Sequence, residues 1–212
     1  MRSADSGADS SLGHRADIAV AELPSRAQGA KRFRVPPIRT RVQAVLLDRD
    51  GTIIRDVPHN SDPTRVEPMP GARAALDRLR RARLRLGVVS NQSGVGRGLI
   101  TAEQMRLVNA RVEALLGRFD VWAVCTHEPY AGCGCRKPAP GLIVEAARRL
   151  GLTPADCVVI GDIGSDMAAA RAAGSCGILV PTPRTRSEEI AVAPCVVADL
   201  GEAVDLILEA MR

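Results

Sequence analysis

The strongest constraint on the fold is a set of five short apolar runs, each ending at polar or small residues: Val42–Leu47, Leu84–Val89, Val121–Val124, Cys157–Ile160 and Cys176–Val180. Runs this short and this continuously apolar suit strands buried on both faces. Between them lie stretches of helical period, predicted over Gly71–Arg83, Thr101–Leu116, Pro140–Leu150 and Ser165–Ala173, with a last helix from about Leu200. The second opens on Thr101-x-x-Gln104, a capping pattern. Strands alternating with helices predict an α/β fold, an open and mostly parallel sheet covered on both sides. In such sheets the chemistry gathers at the carboxyl ends of the strands. Asp48 and Asp50, Ser90 and Asn91, Cys125 and His127, and Asp162 fall there.

This pattern starts near residue 41. Residues 1–40 are rich in Ser, Ala, Gly, Asp and Arg, hold no sustained period and end near Val35-Pro36-Pro37, so they are expected to form a disordered basic tail ahead of one domain over 41–212. The formal charge of +5 divides at the same place: residues 1–41 carry eight basic and four acidic side chains, which leaves the rest nearly neutral. One Trp, one Tyr and two Phe offer little surface for stacking bases, which argues against a nucleic-acid partner. No run of about twenty apolar residues is present and the N-terminus lacks a secretory pattern, so no membrane association is expected and a cytoplasmic location is.

Asp48-Arg49-Asp50-Gly51-Thr52 follows the first apolar run, and an isolated Asp-x-Asp carries little information. Three further segments give it weight: Ser90-Asn91-Gln92-Ser93-Gly94, Arg136-Lys137-Pro138, and Gly161-Asp162-Ile163-Gly164-Ser165-Asp166, in that order. With these four, residues 42–200 resemble the haloacid dehalogenase superfamily. The resemblance implies a Rossmann-like three-layer α/β/α sheet and a magnesium-dependent phosphomonoester phosphatase working through an aspartyl-phosphate.

Within that resemblance each residue has a role that chemistry demands. A carboxylate attacking an anionic phosphate needs a cation to screen the repulsion. Magnesium would be held by Asp48, the Asp50 backbone carbonyl and Asp162, an all-oxygen set. Asp48 is the expected nucleophile. Asp50 would protonate the departing alcohol and later activate water. The Ser90 hydroxyl, the Asn91 backbone amide, Arg136 and Lys137 would bind phosphate. Asp166 is expected either to bind a metal-bound water or to orient Lys137. Only Lys31 and Lys137 among the 29 basic residues are lysine, which marks 137 as a site for a compact ammonium.

Cys125-x-His127, five residues, then Cys133-x-Cys135 supply three thiolates and an imidazole, the inventory of a closed structural zinc site. Cys157, Cys176 and Cys195 read as small buried hydrophobes. The zinc loop leads straight into Arg136-Lys137-Pro138 and resembles the superfamily branch that acts on D-glycero-D-manno-heptose 1,7-bisphosphate and on histidinol phosphate. Only 39 residues separate Asp50 from Ser90, too few for a large cap domain, so the loops Val57–Pro68 and Gly94–Leu99, with His59 and Arg97, are the candidates for shaping the mouth. Ile163 stands where the heptose enzymes often have lysine, and the metal loop is short, which brings histidinol phosphate in as the alternative to a sugar phosphate. A polynucleotide 3′-phosphatase and a non-catalytic zinc-stabilised interaction module are the remaining readings. The expected partner is a small phosphorylated metabolite bound by a monomer.

Overall fold

The structure, a computed structural model, describes residues 42–212; the expected tail lies outside them. Five strands form, β1 (Ala44–Leu47), β2 (Arg85–Asn91), β3 (Val121–Cys125), β4 (Cys157–Gly161) and β5 (Cys176–Leu179). All four pairings are parallel, in the order β3-β2-β1-β4-β5. The chain builds outward from β1 through β2 to β3, then crosses to the other side of β1 for β4 and β5. Such a reversal opens a crevice at the strand tips, and it falls between β1 and β4, the strands that precede Asp48 and Asp162.

Among the described residues seven helices accompany the sheet: α1 (Ala72–Arg81), α2 (Ser93–Gly96), α3 (Ala102–Leu116), α4 (Gly141–Arg149), α5 (Gly164–Ala173), α6 (Ser187–Val192) and α7 (Leu200–Ala210). Alternation along β1 divides the core. Val45 and Leu47 face a cluster with Leu76 and Leu79 of α1, Val108 and Val112 of α3, and Val204 and Ile207 of α7. Ala44 and Leu46 face Ile143 and Ala146 of α4 and Ala169 of α5. The result is the expected three-layer arrangement. Each fully buried Leu or Ile contributes about 2 kcal/mol of apolar transfer, so both faces of β1 pin the strand that ends at Asp48.

The predicted elements form with shifted ends. β2 runs to Asn91 because Ser90 and Asn91 pair with Val124 and Cys125 of β3, a partner that the apolar run alone does not announce. α1 stops at Arg81, and Arg83 turns the chain with a left-handed φ of 61°. Thr101 caps α3 in the expected reciprocal box with Gln104. The short α2 and α6 have too few turns to show a period in sequence. Between Asp50 and Ser90 the chain forms a 3-10 turn at Pro63–Arg65, α1 and most of β2, with no further domain inserted. Cys157 and Cys195 are buried and Cys176 packs partly covered against the core, as small hydrophobes do. Among the described residues no helix is long and apolar enough to cross a membrane.

Candidate active site and metal loop

A cavity of about 590 Å³ opens at the strand tips. Asp48, Asp50, Ser90, Asn91, Arg136, Lys137 and Asp162 all line it, so segments spread over more than a hundred residues converge there. Asp166 sits behind the wall, fully buried.

Lys137 is the centre of the charge pattern. Its Nζ donates to Asp48 Oδ1 at 2.6 Å and to the Val89 carbonyl at 2.8 Å. It also lies 2.6 Å from Asp166 Oδ1, an ion contact rather than an aligned hydrogen bond. This contact would serve the Lys137-orienting role expected for Asp166, and the closeness of Asp166 to the Asp48 and Asp162 carboxylates would serve the metal-side one. Burial works against the ammonium, but Asp166 and Asp48 outweigh it and hold Lys137 above the ordinary lysine range.

Carboxylate oxygens of Asp48, Asp162 and Asp166 lie within 4.8 Å of one another. One ammonium cannot neutralise three such groups. Burial first, then Asp166 and Asp50, lift Asp48 to about 7 even though Lys137 pulls the other way. Asp162 rises to about 8, again chiefly through burial, with Asp48 and Asp166 adding to it. A hard divalent cation fits this oxygen-only, excess-negative set. Gly51 makes room for the Asp162 carboxylate: its φ is +83°, and a Cβ there would come within 2.3 Å of Asp162 Oδ2. Asp162 is further framed by the Thr52 and Thr182 hydroxyls, each at 3.5 Å, while Thr185 donates to its carbonyl at 2.6 Å.

Asp50 adds no carboxylate oxygen to that cluster. Its side chain accepts from Arg49 and from Gln92 Nε2, the latter at 2.7 Å. Gln92 Nε2 also donates to Ser90 Oγ at 2.9 Å, which leaves the Ser90 O–H free to donate elsewhere. The Asn91 side chain is committed to the lysine backbone: it accepts from Lys137 N at 3.1 Å and donates to Lys137 O at 3.0 Å. Sequence reasoning assigned no role to Gln92, Arg49, Thr182, Thr185, Asp56 or Arg184. Asp56 and Arg184 form an ion pair and both line the cavity, with His59 beside them. Burial raises the Asp56 carboxyl and Asp50 adds to it, against the pull of Arg184 and Arg49. Arg97 is exposed and outside the cavity lining. Ile163 forms part of the wall.

The segment Cys125–Cys135 brings its three thiols and its imidazole together. Cys125 Sγ lies 3.5 Å from His127 Nδ1 and 3.7 Å from Cys133 Sγ, and His127 Nδ1 lies 3.2 Å from Cys135 Sγ. All four donor atoms fall within 4.8 Å of one another. A tetrahedron with metal–sulfur bonds of about 2.3 Å has edges of roughly 3.8 Å, so these donors could hold zinc with little rearrangement. The Arg136 N–H directed at Cys133 brings that thiol down to about 7, while burial and the neighbouring thiols push Cys135 up to about 12.

Comparison with known proteins agrees with this geometry. A family model described as HAD-hydrolase-like matches residues 134–203. A D-glycero-beta-D-manno-heptose-1,7-bisphosphate 7-phosphatase from Bordetella bronchiseptica is 33% identical over 150 residues, covering 68% of this chain and 84% of that protein. A D-glycero-alpha-D-manno-heptose-1,7-bisphosphate 7-phosphatase from Mycobacterium bovis is 37% identical over 143 residues, covering 62% of this chain and 75% of that one. The crystal structure of the D,D-heptose 1,7-bisphosphate phosphatase from B. bronchiseptica, complexed with magnesium and phosphate, superimposes with a TM-score of 0.71 at 30% identity, covering 79% of this chain and 98% of that one. By its four segments, its sheet and these relatives, the chain belongs to the haloacid dehalogenase superfamily and is a phosphoric monoester hydrolase.

Proposed function

We propose that the chain is a magnesium-dependent phosphatase of small sugar phosphates, with D-glycero-D-manno-heptose 1,7-bisphosphate as the foremost substrate and its C7 phosphate as the one released. The observation that carries this reading is the Asp48–Lys137–Asp162 grouping at the floor of an uncapped cavity. The names of the relatives supply the sugar. They differ in the anomer, so both anomers belong in the test.

Asp48, at the tip of β1, supplies the nucleophilic oxygen. Asp48, Asp162 and the Asp50 carbonyl would hold magnesium, which when bound neutralises the carboxylates and gathers charge from the phosphoryl group. Lys137 holds Asp48 in place and presents positive charge to the phosphate, and the Ser90 O–H and Arg136 add donors. Asp50 gives a proton to the departing sugar oxygen and then takes one from the water that cleaves the aspartyl-phosphate. Zinc on the Cys125, His127, Cys133 and Cys135 loop would keep rigid the segment that carries Arg136 and Lys137.

Histidinol phosphate is the second reading, favoured by the short metal loop and by Ile163 in the cavity wall. The test is phosphate release, with magnesium, from both heptose bisphosphate anomers, histidinol phosphate and a panel of small phosphomonoesters. Turnover of a heptose bisphosphate well above the rest is expected. Histidinol phosphate as the best substrate would transfer the assignment, and release from none would overturn the small-metabolite reading. Asp48→Asn should abolish turnover, whereas unchanged turnover would remove Asp48 as nucleophile.

A further inference from the structure

We infer that Arg49, the residue between the two aspartates of the first segment, is a positioning residue for the proton-transfer step, and that Asn109 of α3 holds it in register. This inference rests on the reading of Asp50 as the acid and base. Arg49 is 2% exposed, and a buried arginine is rarely tolerated unless its charge and its N–H groups are matched. They are matched in two directions. Nε lies 3.1 Å from Asp50 Oδ1 and 3.2 Å from Oδ2, and Nη2 donates to Oδ2 at 2.9 Å. Nη1 donates to Asn109 Oδ1 at 2.7 Å. The backbone is fixed as well, because the Arg49 carbonyl accepts the N–H groups of both Ile53 and Ile54.

The arrangement selects one oxygen of Asp50. A carboxylate oxygen has two lone-pair directions. Oδ2 has no direction left, with Arg49 Nη2 at 2.9 Å, Gln92 Nε2 at 2.7 Å and the shared Arg49 Nε at 3.2 Å. Oδ1 takes only the Arg49 Nε contact and keeps a free direction. Oδ1 is therefore the atom that carries the proton. As Asp48 forms its bond to phosphorus, the bond from phosphorus to the sugar oxygen breaks, and its electron pair stays on that oxygen, which takes the proton from Asp50 Oδ1. In the second step a water oxygen bonds to phosphorus and its proton passes to Asp50 Oδ1, while the phosphorus bond to Asp48 breaks and returns its pair to the carboxylate.

A planar fork with a third N–H pointing the other way is a property of guanidinium that an ammonium lacks. Asn109 follows the buried Val108 on a helix whose inner face is packed into the core, so the anchor for the fork is rigid. The acid and base of the site is thus aimed from α3, through one buried arginine.

The measurement is kcat/KM, which reports the steps up to departure of the alcohol, on two substrates. One is the heptose bisphosphate, or the alkyl phosphate that the panel finds best. The other is p-nitrophenyl phosphate, whose phenolate leaves without a proton. Arg49→Met and Arg49→Lys should each lower kcat/KM on the alkyl phosphate by about 100-fold, in the range of general acid catalysis, with p-nitrophenyl phosphate changed by less than about 3-fold. Asn109→Ala, at a partly exposed position, should show the same selectivity at roughly 5-fold. Equal losses on both substrates, or no loss on either, would overturn the inference. If the Arg49 variants fail to fold by thermal melting, Asn109→Ala decides alone. Asp50→Asn is the control: a selective loss there without one at Arg49 and Asn109 sinks this inference only, while no selective loss at Asp50 sinks the acid and base reading itself.

Discussion

The Asn91 side chain brackets the Lys137 peptide, accepting from its N–H at 3.1 Å and donating to its carbonyl at 3.0 Å. A residue at the tip of β2 thereby fixes the backbone at the exit of the cysteine-histidine loop, 46 positions away in sequence. The geometry makes the Cys125–Cys135 loop, Lys137 and Asp48 parts of one connected structure.

Removing the bracket should loosen the lysine without deleting it. Asn91→Ala is expected to lower stability by about 1–3 kcal/mol, the cost of two lost hydrogen bonds. Turnover should fall as well, because Lys137 loses its fixed approach to Asp48. Asn91→Asp keeps the acceptor and loses the donor, so it should fall between wild type and Ala in both urea unfolding and kcat. An Asn91→Ala protein with wild-type kcat would show that the bracket is dispensable.

Lys137→Met leaves Asp48 and Asp166 buried without their shared counter-charge. Breaking such a pair costs about 3–5 kcal/mol, so the variant should unfold at markedly lower denaturant and release no measurable phosphate. Lys137→Arg should not restore activity, since the wide fork cannot occupy a space shaped around one ammonium. Full activity in Lys137→Arg would refute the steric part of this prediction.

The metal-free protein should lose stability as pH rises. Asp48 and Asp162 have folded values of about 7 and about 8, above the ordinary 3.8 of an unfolded aspartate. Between these limits the folded chain binds more protons than the unfolded one, so the linkage slope is negative. The penalty is absent below the unfolded value and complete above the folded ones. Magnesium should therefore raise Tm more at pH 8 than at pH 5 by differential scanning fluorimetry, and Asp162→Asn should shrink that difference. Equal magnesium shifts at both pH values would contradict the charge argument.

Cys133→Ser should reduce bound zinc, measured by elemental analysis, and lower Tm. Because the loop runs directly into Arg136 and Lys137, kcat should fall together with the zinc content. Wild-type zinc content and Tm in this variant would remove the metal-loop reading.

Gly51→Ala tests the packing beside Asp162. The positive φ strains any side chain there, and the added Cβ would meet Asp162 Oδ2 at 2.3 Å. We expect magnesium affinity to fall at least about 10-fold by titration, as disturbing the groups around a metal site does. Unchanged affinity would mean that Asp162 can move aside freely.

Much of this site could be read in advance because strand ends are local signals. The apolar runs placed Asp48, Ser90, Asn91 and Asp162 at the tips, and Thr101 with Gln104 marked the start of α3, since a buried strand and a capped helix each leave a pattern within a few residues. The donors of the metal loop were legible for the same reason, all four lying between Cys125 and Cys135. Arg184 was not, because its partner Asp56 lies 128 positions away. Nor was the fork of Arg49: the variable position of an Asp-x-Asp segment carries no sign of where its side chain turns, and Asn109 looks in sequence like any polar residue on a helix.

The layered parallel sheet and the kinds of chemical group presented at its edge follow from residue order alone, because burial pattern and residue type are properties of near neighbours. Which group holds which emerges only on packing: Lys137 between Asp48 and Asp166, Asn91 on the Lys137 backbone, Arg49 on Asp50. A polar side chain in a crowded interior bonds to whatever donor or acceptor packing brings within about 3 Å, and packing brings together segments that no local pattern relates.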